Sequence, residues 1–225
     1  MKATSATAAL DKYFALVDAR PEFFTASPAL DIILESAILE DYIQKTGAPL
    51  GLAYASAYHY LVVDLVRDAS GRLFPYERVL PVSQGQAVVC APIFDGKFIL
   101  LNQFRHAIRS SQLCFPRGFG ENGLTAVENA RKELFEETGA VASTVEIIGR
   151  ASADSGLSGT FVDVALCVVP EFSPPSPQTL DEGIANVVLL SLEELEEKIA
   201  NREIEDGFTL AAYALCVAQK RFCAL

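Results

Sequence analysis

The stretch GFGENGLTAVENARKELFEETGA, residues 118–140, places a glycine-rich loop before a helix that ends in three closely spaced glutamates. Thr125 and Glu128 form a T-x-x-E capping box, which predicts that the helix begins at Thr125. Gly139 is typical of the residue that follows a helix, because glycine readily adopts the left-handed conformation needed there. The stretch therefore predicts a loop and a capped helix that carries the glutamates in its second half.

The carboxylates of Glu133, Glu136 and Glu137 share one side of this helix. At about 100° per residue they span an arc of roughly 100°, which borders the apolar side that includes Leu134. Like charges at the edge of a buried surface, and at the C-terminal end of a helix, are unfavourable. A hard divalent cation such as Mg²⁺ prefers carboxylate oxygens and relieves the repulsion. The alternative is an acidic helix end without function, since glutamates are common on helices.

The same stretch resembles the Nudix box, whose pattern is G-x5-E-x7-R-E-U-x-E-E-x-G-U, with U an apolar residue. Gly118 matches the first glycine, and residues 133–140 match the second half in order and spacing. Two positions depart from the pattern, because Leu124 replaces a glutamate and Lys132 replaces an arginine. In the family these positions mainly support the loop and the helix, and here they change together, as if an ion pair had been replaced.

A longer resemblance points to the ADP-ribose pyrophosphatase-like branch of that superfamily. The segment LLNQFRHAIRSSQLCFPRGFGE, residues 100–121, is similar to the chain that leads into the box in this branch. There a Q-[FYI]-R segment places an arginine near the substrate phosphates, and Arg105 matches it. Residues 203–215, EIEDGFTLAAYAL, resemble the C-terminal helix of the branch. The ADP-ribose signature is incomplete, because Ser155 stands where the branch usually carries a proline.

Strands and helices are interspersed along the chain, which predicts an α+β fold. Asp95 and Gly96 separate two apolar runs and predict a tight hairpin, and residues 59–66 and 73–82 predict another. Helix-like apolar spacing predicts helices at residues 9–17 and 32–43.

The resemblance gives these elements an expected arrangement. It implies a Nudix α/β/α sandwich with a mixed sheet in residues 85–225. Residues 1–84 form an N-terminal extension, with helices followed by a β-hairpin. By the same resemblance the extension is expected to serve dimerisation, so that the protein would be a homodimer.

The resemblance also implies an activity. The expected reaction is hydrolysis of the diphosphate bond in a nucleoside diphosphate linked to another moiety, such as ADP-ribose or a nucleotide sugar, with Mg²⁺ or Mn²⁺. The expected metal ligands are Glu133, Glu136, Glu137 and the backbone carbonyl of Gly118. The expected catalytic residues are Glu133, Glu136, Glu137 and Glu182. The expected substrate-binding residues are Arg105 and Arg117.

The remaining assignments leave alternatives open. Glu182, in a proline-rich loop, is the first choice for a separate catalytic base and Asp181 the second, and either could equally be a solvated loop charge. Arg117 and Arg109 are phosphate contacts or packing arginines, and His106 lies beside Arg105.

Composition narrows the classes of partner. The formal net charge of −11 argues against a broad nucleic-acid surface, and no apolar run approaches the ~20 residues of a membrane span. Five cysteines without a CxxC pair are typical of reduced, buried thiols in a cytoplasmic protein. By the resemblance to the Nudix superfamily, a small nucleotide-derived substrate is the expected partner. Two further hypotheses are a Nudix-fold nucleotide-binding or regulatory module with little hydrolysis and an acidic interaction protein.

Overall fold

The computed structural model of the protein describes residues 3–152, 154–176 and 183–221. The chain divides into two compact units, Met1–Val82 with Asp154–Thr160 and Ser83–Ala153 with Phe161–Leu225. No helix in these described ranges is both long and apolar enough to cross a membrane.

The first unit is an antiparallel sheet with two helices. Its elements are α1 (Ala3–Ala19), a 3-10 turn (Pro21–Phe23), β1 (Leu30–Ile32), α2 (Ser36–Thr46), β2 (Gly51–Ala55), β3 (His59–Asp68) and β4 (Leu73–Pro81). Strand β3 pairs antiparallel with β1, β2 and β4. The β3–β4 hairpin is the one that the sequence predicts at residues 59–66 and 73–82.

The prediction of a helix at residues 32–43 is wrong for its first residues. Leu30–Ile32 is strand β1, in which Ile32 pairs with Val66 of β3, and the helix begins only at Ser36. The backbone before Ser36 hydrogen-bonds to the sheet, and a partner so far along the chain cannot be read from local apolar spacing. Helix α2 ends at Gly47, whose φ of 73° lies in the left-handed region.

The turn that contains Ser155 packs on β4 of the first unit. The amide of Val79 donates to the carbonyl of Leu157 at 2.8 Å, and the amide of Gly159 donates back to the carbonyl of Val79 at 3.0 Å. The Tyr76 hydroxyl donates to the carbonyl of Gly156 at 2.7 Å. These bonds extend the edge of β4 with a segment from the middle of the chain.

The second unit is an α/β/α sandwich. Its elements are β5 (Ala87–Phe94), β6 (Lys97–Arg105), β7 (Ser110–Cys114), β8 (Arg117–Gly118), α3 (Ala126–Thr138), β9 (Thr144–Ala151), β10 (Val162–Val168), β11 (Ile184–Leu190), α4 (Leu192–Ala200) and α5 (Gly207–Ala218). Helix α3 packs on one face of the sheet, and α4 and α5 pack on the other. Strand β10 runs parallel to β5 and antiparallel to β9, so the sheet is mixed, as expected.

The β5–β6 hairpin leaves part of β5 available for pairing with β8. Asp95 and Gly96 have φ values of 48° and 68°, as the tight turn predicted there requires. The two strands pair only beside this turn. Farther along, β5 pairs with β8, where Val88 lies opposite Gly118, while β6 pairs with β7. Gly118 is therefore fixed to the central part of the sheet.

Candidate active site

Helix α3 has the ends that the sequence predicts. Thr125 is the N-cap, and its hydroxyl accepts from the amide of Glu128, whose carboxylate accepts from the amide of Thr125 at 2.8 Å. Gly139 follows the helix with φ of 73°, and its amide donates to the carbonyl of Phe135. These two caps fix which residues of α3 face the sheet.

The inner side of α3 is apolar and carries the glutamates at its border. Ala130 and Leu134 are buried against the sheet, in a cluster that includes Val88 and Cys90 of β5. Glu137 continues this inner side and is only 7% exposed. The expected position of the carboxylates, beside the apolar side and not opposite it, is confirmed for Glu137.

Glu133 reaches the backbone of β8 at Gly118. A Cβ atom placed on Gly118 would overlap all three atoms of the Glu133 carboxylate group. Any side chain at position 118 would therefore displace that carboxylate. Glycine at this position is explained by the close approach of the carboxylate to the main chain.

Glu137 reaches the neighbouring residue of the same strand. The amide of Arg117 donates a hydrogen bond of 2.8 Å to Oε2 of Glu137. The pKa of the Cys90 thiol is raised by its hydrogen bond with Cys167, by burial, and by nearby negative charges that include Glu137 and Glu133. Both glutamates therefore lie close to β5 and β8.

Glu136 has a different partner from Glu133 and Glu137. Its carboxylate pairs with Lys132 one turn back on α3, at 2.8 Å. Lys132 also pairs with Glu121 of the glycine-rich loop, at 2.7 Å. The hydrogen bonds that the Lys132 ammonium group donates to Glu121 and Glu136 raise the pKa of Lys132. The structure thus brings Glu133 and Glu137 to β8, while Glu136 lies in an exposed ion-pair cluster.

The loop of residues 118–124, here called the glycine loop, is held at several points. The buried side-chain amide of Asn129 donates to the carbonyls of Gln86 and Phe119, each at 3.1 Å. The Ser83 hydroxyl donates to the carbonyl of Gly120. Gly120 lies so close to the backbone of Gly85 that a Cβ atom would not fit. The backbone around Gly118 is consequently well supported.

Arg105 lies at the end of β6 with part of its guanidinium buried. Its Nη2 donates to the Cys114 thiol at 3.1 Å, and its buried Nε has no hydrogen-bond partner among the described residues. Burial raises the pKa of the Cys114 thiol, and the charges of Arg105 and Arg117 oppose that rise. The two arginines expected to bind substrate therefore lie near the same thiol.

The side chain of Arg117 is already paired. Its Nη1 lies 3.1 Å from Oδ1 of Asp206, and its guanidinium lies 5.1 Å from the centre of the Phe208 ring. Asp206 is the N-cap of α5 and accepts from the amide of Thr209. Arg117 therefore fastens β8 to α5, and any phosphate contact would be additional to this packing role.

The other predicted residues are placed as follows. His106 and Arg109 are exposed in the turn after β6, and Nη1 of Arg109 lies 2.9 Å from Nδ1 of His106. Glu182 and Asp181 lie outside the described residues. Cys90, Cys114, Cys167 and Cys216 are buried and free, as expected of reduced thiols.

The residues that could hold a cation offer oxygen donors. Within the described ranges, no three His, Cys, Asp or Glu side chains are grouped closely enough to form a complete site. Glu133 lies against the main chain of Gly118, and Glu137 against that of Arg117. Carboxylate oxygens suit Mg²⁺ or Mn²⁺, which bind few protein ligands and keep water or phosphate as the others. The donor set therefore fits such an ion in part, with Glu136 turned to Lys132.

Three residues that support the site were missed by sequence reasoning. Glu121, Asn129 and Asp206 belong to no part of the box pattern that carries chemistry. Asp206 stands before an apolar helix and could have been recognised as an N-cap. Glu121 and Asn129 gain their roles from the path of the glycine loop, for which the sequence carries no local signal.

Comparisons with known proteins agree with this geometry. The NUDIX domain matches residues 84–210, more than half of the chain. An ADP-ribose pyrophosphatase of Bacillus subtilis (strain 168) is 28% identical over 131 residues, which are 58% of this chain and 70% of that protein. The ADP compounds hydrolase NudE of Escherichia coli (strain K12) is 32% identical over 77 residues, 34% of this chain and 41% of that protein.

A solved structure shares the fold. The crystal structure of an ADP compounds hydrolase has a TM-score of 0.64 and 19% identity, and the match covers 77% of this chain and 92% of that one. The expected α+β sandwich and the resemblance to the ADP-ribose pyrophosphatase-like branch are confirmed. The chain belongs to the Nudix family, and it is a Nudix pyrophosphohydrolase.

Proposed function

We propose that this protein hydrolyses the diphosphate bond of a nucleoside diphosphate linked to a second moiety, as in ADP-ribose or a nucleotide sugar, with Mg²⁺ or Mn²⁺ as cofactor. The observation that carries the proposal is the approach of two α3 carboxylates, Glu133 and Glu137, to the backbone of Arg117 and Gly118. Relatives named for ADP-ribose and ADP compounds support the substrate class.

Glu133 and Glu137, with the carbonyl of Gly118, would hold the cation, and Glu136 would join them by leaving Lys132. Bound there, a divalent cation offsets the charge of the diphosphate and lowers the pKa of a bound water. The capped helix keeps Glu133 and Glu137 in place before substrate arrives. Such preorganisation is what makes charged groups effective in catalysis.

Arg105 is the side chain that we propose to bind the diphosphate. Its Nε is buried without a hydrogen-bond partner in the described structure, and a buried unpaired donor is costly. Arginine can donate two parallel hydrogen bonds to a phosphate. Arg117 would add positive charge nearby while remaining paired with Asp206.

Glu182 remains the proposed catalytic base, with Asp181 as the second choice. In that role Glu182 would accept a proton from the attacking water, which requires the carboxylate to be ionised at the working pH. Exchange of Glu182 for glutamine tests the assignment, because kcat should fall while the metal requirement stays the same. A matching loss in D181N but not E182Q would move the role to Asp181.

A metal-dependent turnover screen tests the function. Purified protein is incubated with ADP-ribose, nucleotide sugars, dinucleoside polyphosphates and nucleoside triphosphates, with Mg²⁺, with Mn²⁺ and with EDTA. We expect turnover of at least one of the first two classes, yielding a nucleoside monophosphate, and none with EDTA. Tight nucleotide binding without turnover of any compound would instead favour a nucleotide-binding module.

We also propose that the protein is a cytoplasmic homodimer, which follows from the resemblance to the branch. Light scattering of the full chain after size exclusion measures its mass directly. A mass of about one chain, independent of concentration, would contradict the dimer.

A further inference from the structure

The Nudix pattern places a glutamate at position 124 and an arginine at position 132, and this chain has leucine and lysine there. Read from the sequence, the two changes look like the loss of an ion pair between loop and helix. The structure nevertheless contains an ion pair between the glycine loop and α3. Lys132 of α3 lies 2.7 Å from a carboxylate oxygen of Glu121, three residues upstream of Leu124.

We propose that Glu121 is a positioning residue: through Lys132 it ties the glycine loop to α3 and holds Glu133 against Gly118, in place of the glutamate absent at position 124. Lys132 directly precedes Glu133, so the pair acts one residue away from the proposed ligand. Leu124 cannot supply a charge, and its amide donates to the carbonyl of Glu121 at 3.3 Å. Glu121 is thus bonded through its carbonyl to the loop and through its carboxylate to α3.

The pair also determines which carboxylates lie beside the positive charge of Lys132. Glu121 and Glu136 both accept from Lys132, and the Glu133 charge acts on the same ammonium group. Without Glu121, Lys132 would have only the α3 carboxylates as partners. It would then compete with a cation for Glu136 and Glu133, so metal affinity should fall.

The rest of the loop should remain folded without this pair. Asn129, Ser83 and the contact between Gly120 and Gly85 anchor it independently. Glu121 is half exposed, and exposed ion pairs contribute little to global stability. Exchange of Glu121 for glutamine therefore probes positioning and does not unfold the protein.

A matched control exists at the end of α4, where Lys198 of the helix pairs with Glu203 just beyond it. The pair of Lys198 and Glu203 has a separation of 2.8 Å and side-chain exposures of 30% and 51%, against 34% and 50% for Lys132 and Glu121. Neither residue belongs to the box, and E203Q therefore removes a surface ion pair of similar length and exposure. The rescue variant is E121Q/L124E, which returns the carboxylate to the consensus position.

The test compares hydrogen exchange of residues 118–124 in the metal-free full-length protein and Mn²⁺ affinity by titration. For E121Q we expect loop exchange about fivefold faster and Mn²⁺ binding about tenfold weaker, with no change in E203Q. E121Q/L124E should recover most of both losses. The hydrogen-exchange measurement needs neither substrate nor metal. It therefore still tests the positioning role of Glu121 if the turnover screen contradicts the proposed function.

Two results would overturn the proposal. If E121Q behaves like E203Q in both measurements, the pair with Lys132 has no positioning role. If E121Q is impaired but E121Q/L124E is not restored, Glu121 acts in some way other than as the substitute for the missing glutamate.

Discussion

The carboxylate of Glu133 occupies the space in which a side chain on Gly118 would stand. The neighbouring backbone amide, that of Arg117, donates to Glu137. One short strand therefore contacts two glutamates that are one helical turn apart on α3. From this relationship we expect a small substitution at position 118 to lower the catalytic rate strongly and the stability of the fold only slightly.

The variant G118A tests that expectation. The added methyl group meets the flexible end of the Glu133 side chain, which can turn away, so we expect the melting temperature to change by only a few degrees. The displaced carboxylate should lower kcat about a hundredfold, because such small misplacements are costly in catalysis. Differential scanning calorimetry and steady-state kinetics measure the two effects.

Gly207 supplies the control for G118A. A Cβ atom there would meet nothing within 4 Å beyond its chain neighbours and the backbone of its own helix. G207A should therefore retain wild-type kinetics. Wild-type activity in G118A would show that the approach of Glu133 to the main chain has no catalytic importance.

The caps of α3 and α4 form a second matched comparison. Both helices begin with a capping box, Thr125 with Glu128 and Ser191 with Glu194. T125A and S191A should each lower the free energy of unfolding by about 1 kcal/mol. Only T125A should also lower kcat/KM, since α3 carries the glutamates. Equal kinetic effects of the two variants would argue against a special role of α3.

The same boxes predict a pH dependence of stability. Hydrogen bonds from the backbone amides of Thr125 and Ser191 hold the pKa values of Glu128 and Glu194 below their ordinary range. A carboxyl group with a lowered pKa stabilises the fold above its ordinary pKa, and that contribution is lost as the pH falls through the lowered value.

Urea unfolding of wild type and E128Q checks this sign. The stability advantage of the wild type should be present at pH 7 and should shrink below about pH 4, near and below the ordinary pKa of glutamate. A difference that grows on acidification would contradict the assigned direction of the pKa shift.

Arg105 is predicted to bind the diphosphate through its planar guanidinium. Lysine keeps the charge but cannot donate two parallel hydrogen bonds, so R105K should lower kcat/KM about tenfold or more. R72K is the control, because Arg72 pairs with Asp68 in an exposed turn of the first unit. Equal kcat/KM values for R105K and R72K would remove Arg105 from the proposed site.

Much of the second unit could be predicted because its signals are local. The Asp95–Gly96 turn, the Thr125 cap and Gly139 each depend on the conformation of a few neighbouring residues. The same holds for the positions of Glu133 and Glu137 on α3, since a helix fixes angular spacing.

The failures concern contacts between distant parts of the chain. Ile32 belongs to a strand because Val66 lies opposite it, which local apolar spacing does not reveal. The pairing of Lys132 with Glu121 follows from the path of the glycine loop, whereas the pairing of Lys132 with Glu136 is a local i, i+4 contact on α3. Helical geometry placed the three glutamates within one arc, but it could not tell which partner each carboxylate would find.

The central claim is that the negative charge of Glu137, held at β8, serves catalysis. E137Q tests it most directly, because the glutamine oxygen can still accept from the amide of Arg117 while the charge is removed. The measurement is kcat at saturating Mn²⁺ for the best substrate of the turnover screen, with E203Q as the control. We predict a loss of at least about a hundredfold in E137Q at an unchanged melting temperature. A kcat for E137Q close to that of E203Q would contradict the claim.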